Sequence, residues 1–122
     1  MYKVMSNAPF EAVFCTSPRG DCHVEEFLNE LAPKVRGKIL RWIEALEAHG
    51  PSLPRPYADV VRGKVRELRI VFGGQQYRLF YFFSGKQVVM THGFVKRTGP
   101  VPAQELARAE RLMREWQQGH GR

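Results

Sequence analysis

The chain lacks most of the devices that small proteins use in place of a core. It has only two cysteines, Cys15 and Cys22, and no C-x-x-C pair. A disulfide scaffold is therefore excluded, and Cys22-His23 finds no third or fourth residue at zinc-site spacing. Two reduced, structural thiols are expected, and no metal or other cofactor. No run approaches the roughly 20 apolar residues of a membrane span. Met1–Phe10 holds one lysine and no apolar block, so no signal peptide is expected and the default compartment is the cytoplasm. There is no internal repeat, no low-complexity tract and no linker. At 122 residues, with 43% hydrophobic and 25% charged residues, one domain with a real core is expected.

Acidic residues are scarce in the second half. Residues 62–122 hold 12 of the 19 Lys+Arg and 4 of the 12 Asp+Glu, a net of +8, whereas residues 1–61 are near neutral. A concentrated basic field draws polyanions by Coulomb steering and counterion release. Nucleic acid is the commonest such partner; an acidic protein, an anionic membrane face or a merely basic surface are the alternatives.

Periodicity places the elements. Glu11–Thr16 is a short β-favouring run, followed by a Ser17-Pro18-Arg19-Gly20 turn. Phe27, Leu28 and Leu31 mark one face of a short helix from about Val24. Val35, Ile39, Trp42, Ile43 and Leu46 make Lys34–His49 the clearest helix, with Trp42 in the core and Gly50-Pro51 as its stop. Residues 51–63, with three prolines, are expected to be a loop. Lys64–Phe72, Gln76–Phe83 and Gln87–Val95 are strand-like, joined by Gly73-Gly74 and Ser84-Gly85 turns, so they pair antiparallel. Ala103–Gln117 is a last helix with a Leu106, Ala109, Met113, Trp116 stripe. The class is α+β: a small antiparallel sheet, made of an N-terminal strand and a three-stranded meander, with helices packed on one face and a C-terminal helix. Residues 1–10 are an extension and 11–118 the domain.

Side chains alternate faces along a strand. A two-residue Gly73-Gly74 turn sets Arg69 directly opposite Arg78. A turn centred on Ser84-Gly85 sets Arg78 opposite Thr91, which leaves Arg97 on the arginine face, or Lys96 if a bulge intervenes. One face then carries Glu67, Arg69, Arg78, Phe80 and Phe82. The other carries Leu68, Ile70, Tyr77, Leu79, Tyr81, Val88, Met90, His92 and Phe94, and is the core side. Opposed arginines repel unless something neutralises them. Glu67 can do so structurally; a phosphate gripped by both guanidinium forks is the functional explanation. Lys64 and Arg66 extend the basic surface or are plain solvated charges. Phe80 and Phe82 stack on a base or lie under a helix.

The strings VEEFLNEL, KVRGKILRWIEALEAHG, PYADVVRGKVRELR, GGQQYRLFYFF and VVMTHGFVKRT, in that order over roughly residues 11–117, resemble the phage-derived RelE/HigB-like toxins of bacterial type II toxin–antitoxin modules. The resemblance implies a RelE-like sheet and an mRNA endoribonuclease that inhibits translation, usually on the ribosome. It also implies a small helix-turn-helix antitoxin as partner. Arg69 and Arg78 fall on the family's catalytic strands, and Lys96 and Arg97 on its basic pair after the last strand. Two positions depart from the archetype: Glu67 stands where a lysine is common, and the last helix has no tyrosine. The expected catalytic set is Arg69, Arg78, Lys96 and His92, with Lys64, Arg66 and Arg97 binding RNA. Lys96 serves as general acid or base, Glu67 as base or as an orienter of arginine, and His92 as base or as a structural hydrogen-bonder. The alternatives are a non-enzymatic inhibitor of a protein such as DNA gyrase, and an inactive RNA-binding module.

Overall fold

The computed structural model describes residues 8–120. Most of the expected N-terminal extension, residues 1–7, lies outside the described residues. The chain runs β1 (Glu11–Phe14), α1 (His23–Asn29), α2 (Pro33–His49), β2 (Ala58–Arg62), β3 (Val65–Phe72), β4 (Gln75–Ser84), β5 (Gln87–Lys96) and α3 (Ala103–Gly119). One five-stranded sheet has the order β1-β5-β4-β3-β2.

The α+β class and the three-stranded meander are as the sequence predicts. Two features of the sheet differ. β1 runs parallel to β5, so the sheet is mixed rather than antiparallel. The proline-rich stretch 51–63 also yields a strand, β2, paired with β3. Pro51, Pro54 and Pro56 all precede it, and its own residues include Val60 and Val61, which suit an edge strand.

α1 and α2 form a layer on one sheet face. Val24 and Leu28 of α1, and Val35, Ile39, Ile43 and Leu46 of α2, pack onto Leu68, Ile70, Tyr77, Leu79, Tyr81, Val88 and Met90. Pro33 opens α2 at its first turn, where the missing N–H costs nothing. Gly50 ends it at φ +55°, and a Cβ there would fall 2.3 Å from the Phe10 ring, so both backbone conformation and space demand glycine. The other face is covered by α3, through two clusters: Phe82, Val89 and Trp116 with Cys15, and Val65, Phe80 and Phe94 with Ala109. Phe80 and Phe82 thus lie under a helix. Trp42 is half-buried at the edge of the core and stacks on Tyr57, centroids 4.7 Å apart.

The first hairpin is as predicted: Gly73 and Gly74, at φ +59° and +78°, form its two-residue turn, and Arg69 pairs with Arg78. The second hairpin differs. Its turn is Gly85-Lys86, with Ser84 opposite Gln87, and the ladder slips by one at Thr91. Thr91 is the extra residue of a β-bulge; its buried hydroxyl lies 3.3 Å from the Phe80 carbonyl oxygen. The slip reverses the facing of everything after it. Arg78 pairs with Phe94 rather than Thr91, and Phe80 with His92. His92, Phe94 and Lys96 therefore move to the arginine face, while Gly93 turns toward Phe27 of α1.

Candidate functional site

α3 covers only part of the arginine face. The row Arg69–Arg78–Phe94 is covered at its Phe94 end, and beyond it toward the Gly73-Gly74 turn lies the row Val71–Gln76–Lys96, of which Val71 and Gln76 are exposed. This open end is the candidate site.

Its centre is an ion-pair network around Glu67, which is 4% exposed. Arg78 donates from Nη1 to Glu67 Oε1 at 2.8 Å and from Nη2 to Gln76 Oε1 at 2.9 Å. Arg69 donates from Nε to Glu67 Oε2 at 3.0 Å and from Nη2 to Asp59 Oδ2 at 3.3 Å. Arg55 approaches the same Asp59 oxygen at 3.8 Å. Strand alternation explains the convergence: 67 and 69 share a face of β3, 78 lies opposite 69, and β2 brings Asp59 opposite Glu67. One carboxylate thus bridges two opposed guanidinium groups, and a second carboxylate supports one of them. The Arg78 side chain is 11% exposed and that of Arg69 28%, so the pair is neither splayed across the sheet nor wholly sealed. Arg78 Nε is buried with no protein acceptor, a donor of the kind that ordered water or a ligand satisfies. Glu67 and Asp59 balance Arg69 and Arg78, and Arg55 leaves the network one net positive charge, so this is a largely compensated site and not a bare cationic one.

The other expected site residues separate. Lys96 shares the arginine face; its ammonium is bonded to the carbonyl oxygens of Arg97, at 3.1 Å, and Gly99. Arg97 lies past the strand and is exposed. Lys64 sits in the β2–β3 turn, five residues or roughly 17 Å along the strand from Arg69. Arg66 faces the opposite side of the sheet, against the Tyr81 hydroxyl and over the Phe83 ring at 5.5 Å. The expectation that Arg66 joins an RNA-binding surface with Arg69 and Arg78 is therefore corrected by strand parity.

His92 is corrected twice. It lies on the arginine face and not the α1/α2 face, because of the Thr91 bulge. It is also fully buried under α3, edge-on to Phe80 and stacked on Phe94, which removes it from any substrate. Nε2 lies 3.0 Å from Glu105 Oε1 and Nδ1 lies 3.2 Å from Thr91 Oγ1. A neutral ring with its proton on Nε2 donates to the carboxylate and leaves Nδ1 as an acceptor; the Thr91 hydroxyl has one proton for two acceptors, Nδ1 and the Phe80 carbonyl oxygen. Burial first, then the cations Arg108 and Arg111 and the nearby His23, push its pKa down to about 3. His92 is thus a neutral link between β5 and α3.

Asp59, Gln76 and Arg55 are the members of the network that the sequence does not single out; Asp59 escapes because the proline-rich approach reads as a loop. The signal was present: Asp59 falls at alternating spacing in a short β-favouring stretch closed by Arg62-Gly63-Lys64. Both cysteines are free and buried, and burial pushes the Cys15 thiol up to about 12. Among the described residues, no three His, Cys, Asp or Glu side chains group as metal ligands, and no helix is long and apolar enough to cross a membrane.

No curated protein matches the chain. A family model described as Phage derived protein Gp49-like (DUF891) matches residues 26–114, which include Asp59, Glu67, Arg69, Arg78 and Lys96. With that match spanning most of the chain, over the same strands that build the arginine network, the protein belongs to the phage-derived Gp49-like family, a toxin–antitoxin-associated family.

Proposed function

We propose that the protein is the toxin of a type II toxin–antitoxin module of RelE/HigB type. In this reading it is an mRNA endoribonuclease that acts in the cytoplasm on ribosome-bound messages, and a small helix-turn-helix antitoxin is its partner. The observation that carries the reading is the directly opposed Arg69–Arg78 pair, partly exposed beside the open end of the sheet, with Lys96 one row away.

The chemistry needs no metal. The 2′-oxygen attacks the adjacent phosphorus, the P–O5′ bond breaks, and the products are a 2′,3′-cyclic phosphate and a 5′-hydroxyl. Arg69 and Arg78 are permanently charged and planar, and suit the developing phosphorane charge. Each fixed cation of this kind is worth about 2–4 kcal/mol by analogy with oxyanion-hole donors. Lys96, released from the Arg97 and Gly99 carbonyl oxygens, would donate the proton to the leaving O5′. Glu67 and Asp59 set the terms: a phosphate must replace carboxylate contacts on the two guanidinium groups. Glu67 would thereby hold both forks in place until substrate arrives, and is a candidate acceptor of the 2′-OH proton once released.

The charge compensation favours a second reading on the same fold, a non-nucleolytic toxin that binds a protein target such as DNA gyrase. Induced expression followed by primer extension separates the two. Codon-phased mRNA cuts support the nuclease, whereas gyrase-linked DNA breaks support the protein poison. Intact RNA and DNA with retained RNA binding identify an inactive binding module. Arg78→Ala is expected to abolish toxicity with the circular dichroism spectrum retained; wild-type toxicity in that variant refutes the site. A helix-turn-helix protein encoded next to this gene, and its co-purification with the toxin, test the partner.

A further inference from the structure

On the sheet face away from Arg69 and Arg78, α2 and the end of β3 enclose an open groove of about 550 Å3 lined by Pro33, Lys34, Gly37, Lys38, Arg41, Trp42 and Phe72. Three of these are cations and none is an acid. Lys34, Lys38 and Arg41 stand at i, i+4 and i+7, so they form one stripe along the helix. Lys38 is held in place, its ammonium 2.8 Å from the Val71 carbonyl oxygen and 5.3 Å from the Phe72 ring centre. Lys34 and Arg41 are exposed.

Gly37 is the second observation. It lies inside α2, where glycine is less stable than alanine. Its φ is not positive, and a Cβ built there would meet nothing within 4 Å. Neither backbone conformation nor packing requires glycine at this position. What its missing side chain does is leave a gap in the helix surface between the cations.

We propose that this groove binds an acidic segment of a partner protein, an apolar side chain of which seats over Gly37 while carboxylates meet Lys34, Lys38 and Arg41. A peptide is favoured over RNA because the aromatic groups are already engaged within the protein: Trp42 stacks on Tyr57, and Phe72 carries Lys38 over its face. Side-by-side cations with an apolar gap suit carboxylates flanking an aliphatic or aromatic anchor. The site lies on the opposite sheet face from the arginine network and does not depend on the nuclease reading.

The test is selection of a random 12-residue peptide library on the full-length protein, followed by titration of the enriched peptide against 15N-labelled protein. Enriched sequences are expected to carry several Asp or Glu residues around an apolar anchor, and to shift the Trp42 indole signal while that of Trp116 stays put. Lys34→Glu with Arg41→Glu is expected to weaken binding at least tenfold, whereas Lys34→Arg with Arg41→Lys stays within about threefold. Gly37→Leu is expected to abolish binding while Tm holds or rises, a combination that a purely structural glycine would not produce. The proposal is overturned if enriched peptides show no acidic bias, or if they bind the charge-reversed or Gly37→Leu proteins equally well. It is also overturned if a 12-nucleotide poly-uridine RNA, rather than the acidic peptide, perturbs Trp42.

Discussion

Glu67 is the residue on which the arginine face depends, and Glu67→Gln measures how much. The glutamine is isosteric but removes the charge that holds Arg69 and Arg78 together at 2.8–3.0 Å. Removing one partner of a buried ion pair costs about 3–5 kcal/mol, because the remaining charge is left uncompensated. Three features place this case at the lower end. The Arg69 side chain is 28% exposed, so water screens part of its charge. Arg69 keeps Asp59 at 3.3 Å and Arg78 keeps Gln76 at 2.9 Å. The amide oxygen still accepts from one guanidinium. A loss of about 3 kcal/mol is expected, a large share of the roughly 5–15 kcal/mol that holds a domain together. For a chain of this size it corresponds to a fall in Tm of about 10 °C. Thermal melts followed by circular dichroism, with urea titrations to check that the slope m is unchanged, read it directly. The double variant Glu67→Gln/Arg78→Met removes the stranded charge as well, and is expected to regain at least about 1 kcal/mol relative to additivity. A Tm drop below about 3 °C, or strict additivity in the double variant, would refute the view that Glu67 is what makes two opposed arginines tolerable.

Two further outcomes follow from the buried titratable groups. The His92 imidazole is held neutral at about 3 in the fold against an ordinary value near 6.5, so between those limits the unfolded chain binds the extra proton. Stability is therefore complete above about pH 6.5 and falls as pH drops, by up to about 1.4 kcal/mol per unit; urea midpoints of the wild type and His92→Gln from pH 4 to 7 should show the slope reduced in the variant, and equal slopes would refute the assignment. The Cys15 thiol, 3% exposed and pushed up to about 12 by burial, should resist iodoacetamide at pH 8 in the native protein and react once denatured; labelling at the rate of a free thiol in the folded state would contradict its placement.

The sequence by itself determined the local elements and the first hairpin. α2 is legible because Val35, Ile39, Ile43 and Leu46 recur at the helical period between Pro33 and Gly50. Arg69 is legible opposite Arg78 because a two-glycine turn permits one register. Both are short-range facts, decided by backbone geometry within a few residues. Only the tertiary structure decided the rest. The Thr91 bulge reverses the facing of His92, Phe94 and Lys96, and no local signal separates a bulge at Thr91 from one at Gly93 or from none. β2 exists because β3 offers it a ladder, which its own proline-rich approach conceals. The parallel seat of β1 against β5, and the placing of α3 over Phe80 and Phe82, come from burying apolar surface contributed by residues far apart in the chain. So does the character of the arginine pair: opposed charges that alone would invite a polyanion are already joined through Glu67, because strand pairing brings Asp59, Glu67, Arg69 and Arg78 to one place.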